Sequence, residues 1–91
     1  MIILNLNVRK YGTTIKSKSY YCNVADKKQL PESELTRVQH EYCECVRKYG
    51  NVSKDYWSDE SILDYYGWDY SNDIYDVNLN YAHETEQIWP L

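Results

Sequence analysis

A chain of 91 residues allows one domain with a small core. Its formal charge is −4, it holds 3 Cys, and its apolar content is rich in Tyr, with 11 Tyr, no Phe and 1 Met. No apolar run approaches the roughly 18 residues of a membrane-spanning helix, and the odd Cys count does not fit a disulfide scaffold.

In chain order, residues 2–8 alternate, with Ile2, Leu4, Leu6 and Val8 on one face and Ile3, Asn5 and Asn7 on the other. That is a half-buried strand. The apolar start is short, lacks a basic leader and is broken by Asn5 and Asn7, so no signal peptide is expected. Arg9 to Thr13 is a turn with Gly12 available for positive φ. Residues 14–24 form a second strand, pairing with the first as a hairpin. Its buried face is left open between Lys16, Lys18, Tyr20 and Cys22 and the set Ile15, Ser17, Ser19 and Tyr21. Residues 25–30 read as a polar loop.

Pro31 suits the first helical position, and Glu32 and Glu34 complement the helix dipole. Leu35, Val38, Tyr42, Cys45 or Val46, and Tyr49 recur at helical spacing, so a helix spans 31–49. Gly50 is the expected C′ residue. Ser58 is an N-cap for a short helix stopped by Gly67. Residues 68–73 read as loop. Tyr75, Val77, Leu79 and Tyr81 then alternate with Asp76, Asn78 and Asn80 as a third strand. If it neighbours the first strand, Asn5, Asn7, Asp76, Asn78 and Asn80 share a polar sheet face. The tail, with Ile88, Trp89 and Leu91, packs back or serves as a binding motif. The expected architecture is β-β-α-α-β, an α+β domain with a small antiparallel sheet packed on one main helix.

Charge is divided along the chain. Residues 1–54 carry ten Lys/Arg and five Asp/Glu, and residues 55–91 carry nine Asp/Glu and no Lys or Arg, so the halves are +5 and −9. From Asp55 to Asp76, seven carboxylates are interleaved with Tyr and Trp. Ordinary surfaces mix both signs.

Catalytic and metal signatures are weak. His40, Cys43 and Cys45 share one helix, but a C-x-C pair on a helix sets its sulfurs about 200° apart, and no second ligand pair is evident. The expectation is a core Cys45, a partly exposed Cys43 and a surface His40. Asp69, Ser71 and Asp73 start a calcium-loop pattern that fails at Ile74 and Asn80. No phosphate-binding or nucleophile motif occurs, so neither an enzyme nor a cofactor is expected.

Regularly placed carboxylates offer a basic groove what a nucleic-acid backbone offers, whose duplex charge recurs about every 1.7 Å. Tyr and Trp supply interface anchors. The candidate partner-binding residues are Asp59, Glu60, Asp64, Tyr65, Tyr66, Trp68, Asp69, Tyr70, Asp73 and Asp76. In size, charge and its acidic-aromatic mixture, the segment 55–76 resembles small phage-encoded anti-defence inhibitors of the anti-CRISPR and DNA-mimic type. It is also similar to acidic immunity proteins of nuclease toxins. The resemblance implies a non-enzymatic protein inhibitor in the bacterial cytoplasm, whose partner is a basic nucleic-acid-processing protein such as a nuclease or CRISPR effector. Two other partners are weighed. Single-stranded nucleic acid could stack on a basic hairpin of Arg9, Lys10, Lys16, Lys18, Tyr20 and Tyr21, against the repulsion of the acidic half. A second copy could pair through the opposed charges as a homodimer.

Overall fold

The computed structural model describes residues 1–53 and 57–83. The alternation at the start of the chain becomes β1 (Ile2–Lys10), and Tyr11 and Gly12 turn it into β2 (Thr13–Cys22). Both turn residues have positive φ, 49° and 80°. That matches the mirror-image two-residue turns whose twist suits a hairpin. The non-glycine Tyr11 is held there in part by its N–H, which donates to the Ile74 carbonyl at 2.8 Å. After one 3-10 turn at Lys27–Gln29, α1 runs over Glu32–Gly50 and α2 over Asp59–Tyr66. Two strands close the described chain, β3 (Asp69–Ser71) and β4 (Tyr75–His83).

The sheet is antiparallel throughout, in the order β2-β1-β4-β3. The fold is therefore the expected α+β type, with β1 and β4 as central neighbours. Inward-facing Ile2, Leu4, Leu6 and Val8 are at most 1% exposed, as are Val38, Tyr42 and Val46 of α1. Each such aliphatic side chain contributes about 1.5–3 kcal/mol when buried. On the opposite face Asn5 bonds Asn80 at 3.3 Å and Asn7 bonds Asn78 at 3.4 Å. Ser19 and Ser17 donate to the same two asparagines at 2.8 and 2.9 Å. The polar face thus satisfies much of its own hydrogen bonding.

Four expectations are corrected. Residues 68–73 are not all loop, because Asp69–Ser71 pairs with β4. Three residues with one inward side chain, Tyr70, are too few for an alternation to show. Pro31 stands just before the helix, as its N-cap. Gly50 is the last helical residue, and the left-handed C-cap is Asn51, with φ 54° and ψ 44°. Cys43 is fully buried, not partly exposed. Its thiol faces the Asp59 carbonyl at 3.7 Å, while Cys45 lies by Lys16 of β2. Opposite sides of α1 are covered because α1 also meets α2. Cys22, Cys43 and Cys45 are all free and buried. Burial pushes the Cys43 thiol up to about 12. The face of β2 left open by the sequence is settled by register: Lys16, Lys18, Tyr20 and Cys22 stand on the helix side, opposite Val8, Leu6, Leu4 and Ile2. The expectation for residues 88–91 lies outside the described residues.

Gly50 is needed for packing. A Cβ built on it would stand 2.5 Å from Tyr70 Oη and 2.7 Å from Tyr70 Cζ. The Tyr70 ring is pinned by Tyr66 at 4.8 Å and by Asn72, whose amide donates to the phenol at 3.1 Å. Gly50→Ala gains about 1 kcal/mol of helix propensity but overpacks at about 1–3 kcal/mol. A net loss of about 1 kcal/mol is expected by urea unfolding.

Candidate partner-binding surface

The short helix α2 forms because Ser58 caps it, its Oγ accepting from the Ser61 N–H at 3.2 Å, and because Asp59 and Glu60 sit at its positive end. Gly67, at φ 64°, ends it with its N–H on the Leu63 carbonyl at 2.9 Å. Ile62 is the buried side chain of α2. Glu60, Asp64 and Tyr65 face solvent, and Tyr65 is 73% exposed.

Tyr65 is exposed but held. Its ring meets Trp57 edge-on at 5.4 Å and Tyr66 at 4.8 Å, and Trp57 also meets Tyr66 at 5.5 Å. A restrained aromatic loses less conformational freedom on binding than a free one. Trp57 is the residue this surface uses that the sequence did not single out. It lies in the connection before α2, and no spacing rule links it to Tyr65 and Tyr66.

The acidic candidates do not form a single ridge. Asp59 is turned inward. It takes an ion pair from Arg47 Nη2 at 2.5 Å and a contact from His40 Nδ1 at 2.6 Å. Tyr70 is 6% exposed and belongs to the core, and Tyr66 is half-buried against it. Glu60 and Asp64 lie on α2, in the helix layer. Asp69 stands on the outer side of β3, since its neighbour Tyr70 points in, and Asp73 is exposed in the β3–β4 turn. Asp76 is half-buried on the polar sheet face, opposite Arg9 in register. Trp68 is half-buried, with its ring 6.4 Å from Tyr81. Asp69 and Asp73 thus lie at the sheet edge that carries β3, and Glu60 and Asp64 on the exposed side of α2. Among the described residues none of these four forms a salt bridge.

The other edge carries β2 with Lys16 and Lys18. At the hairpin end, Lys10 stands over the Tyr75 ring at 5.8 Å. Among the described residues no three His, Cys, Asp or Glu side chains converge as a metal site, and no helix is long and apolar enough to cross a membrane.

Arg47 is what sets α2 in place. Its side chain is 8% exposed, its Nε and Nη2 donate to the Trp57 carbonyl at 3.2 and 3.0 Å, and its Nη1 meets Glu44 at 3.0 Å. Burial alone would raise the Asp59 carboxyl, but hydrogen bonds from His40 and Arg47 outweigh it and hold the group below its ordinary 3.8. A depressed carboxyl stabilises the fold above the unfolded value, and this contribution is lost as pH falls through the folded one. The stability gap between the wild type and Asp59→Asn is therefore expected to close as pH falls below about 4, read by urea midpoints across pH.

Comparison with family models, with curated proteins and with solved structures gives no match to this chain.

Proposed function

We propose that this protein is a non-enzymatic inhibitor that occupies the basic nucleic-acid groove of a nuclease or CRISPR-type effector in the bacterial cytoplasm. Its binding surface is the acidic, aromatic edge around β3 and α2. The observation that carries this reading is the group Glu60, Asp64, Asp69 and Asp73, four carboxylates with no salt bridge among the described residues, beside a held and exposed Tyr65. Four like charges with no salt bridge among the described residues cost self-repulsion, which a basic partner relieves. Tyr65 supplies the aromatic anchor such an interface concentrates its energy in, and Trp68 adds apolar area. Asp59 and Tyr70 contribute by holding the edge in shape.

The test is affinity capture from bacterial lysate at low and high salt, followed by mass spectrometry. The expected product is a basic nucleic-acid-processing protein that high salt releases. Retention of nucleic acid in place of protein would overturn the reading and favour the basic hairpin, whose tip residue Tyr11 is 72% exposed.

A further inference from the structure

The opposite edge of the sheet carries a second surface. β2 is ten residues long, pairs among the described residues with β1 alone, and is solvent-exposed up to Ser19. Its outward backbone groups therefore have no strand partner among the described residues, which is the template for strand addition. Behind this edge lies a groove of about 320 Å³ between β2 and α1. Lys16, Lys18 and Tyr20 of β2 form one wall, Glu41, Glu44, Cys45 and Lys48 of α1 the other, and Leu6 lies between them. The groove exists because α1 crosses over β1 and β4 and leaves the inner face of β2 open at Lys16 and Lys18, while Tyr20 and Cys22 are packed. Tyr20 Oη and Glu41 Oε2 are buried in its walls without a hydrogen-bond partner among the described residues, so hydrogen-bonding capacity is left over there.

We infer that this edge receives an extended peptide, added as a fifth strand, whose carboxylates at alternate positions stand opposite Lys16 and Lys18. Lysine sets the chemistry of the occupant. Both ammonium groups are drawn to the inner side. Lys18 Nζ lies 3.5 Å from Glu41 and 4.9 Å from the Tyr20 ring centroid, and Lys16 Nζ lies 4.0 Å from Cys45 Sγ. Inner-face side chains of an added strand arrive at the same place, and opposite charges across a strand pair are favourable. A second copy of β2 paired antiparallel about Ser17 would set Lys16 against Lys18, which is unfavourable, and the bulge that displaces Ile15 breaks the regular edge a symmetric pair needs. The occupant is therefore an acidic strand from another protein. This inference stands independently of the acidic edge.

The test is a titration of isotopically labelled full-length protein with a short peptide alternating Glu with Thr. Amide shifts are expected along β2 and on the facing side of α1. A Lys/Thr peptide, and the Glu/Thr peptide N-methylated at alternate residues, should bind at least tenfold more weakly, as should the Glu/Thr peptide to the Lys16→Glu/Lys18→Glu variant. Both side chains are exposed enough for that variant to keep its fold, which the unchanged shifts of β4 would verify. Equal binding of the N-methylated peptide, shifts confined to other surfaces, or no shift at millimolar peptide would overturn the inference. Concentration-dependent dimerisation through β2, seen by sedimentation, would overturn it in favour of a second copy.

Discussion

Arg47→Ala is expected to destabilise the fold by about 3 kcal/mol, through the α1–α2 contact. The guanidinium is nearly buried and makes two hydrogen bonds to the Trp57 carbonyl as well as contacts with Asp59 and Glu44. Hydrogen bonds from a charged donor contribute about 1.5–3 kcal/mol each when lost from a buried site. Asp59 and Glu44 remain 35% and 47% exposed, so solvent screens the ion pairs and most of the loss falls on the carbonyl. Arg47→Lys keeps the charge without the forked geometry and should recover less than half of the loss. Urea unfolding of the three proteins at neutral pH measures both numbers. A loss under about 1 kcal/mol in Arg47→Ala would mean that α2 is held by Ile62 and the aromatic cluster alone.

The largest effect on binding is expected from Asp64→Lys/Asp69→Lys/Asp73→Lys. All three side chains are exposed, and none takes part in a salt bridge among the described residues. The unfolding midpoint should therefore change little, and relief of self-repulsion could raise it slightly. Affinity for the partner should fall by several kcal/mol, since truncating one member of a buried charge pair costs about 2–5 kcal/mol, and reversal adds repulsion. Calorimetric titration of the captured partner gives the figure, and circular dichroism verifies the fold. Unchanged affinity in a folded triple variant would place the interface elsewhere.

Much of this surface could be read from the sequence, for reasons that differ residue by residue. Ile2, Leu4, Leu6 and Val8 announced their strand because period-two alternation is local, as did Tyr75, Val77, Leu79 and Tyr81. The neighbouring Asn rows followed once those strands were set side by side. The α2 boundaries were equally local, a Ser cap and a Gly stop. Pairing was not legible. Asp59 looks like Asp64 in the sequence, yet one is consumed by Arg47 and His40 while the other forms no salt bridge among the described residues, because only the α1–α2 crossing decides which acid meets a cation. Tyr70 looks like Tyr65, yet one fills the core and the other faces solvent. Gly50 read as a helix stop because a glycine at a helix end usually ends it. Its use here, admitting the Tyr70 ring, depends on a strand about 20 residues away. Trp57 was legible only as one aromatic of the acidic stretch 55–76, since its role lies in which rings it supports.

The measurement that tests nucleic-acid mimicry most directly is competition. The captured partner is bound to a fluorescent nucleic acid of the kind it processes, and this protein is titrated in while anisotropy is followed. The account predicts stoichiometric displacement, with anisotropy falling to that of the free nucleic acid and the triple variant displacing little. A rise in anisotropy, which signals protein and nucleic acid bound together on the partner, would contradict it.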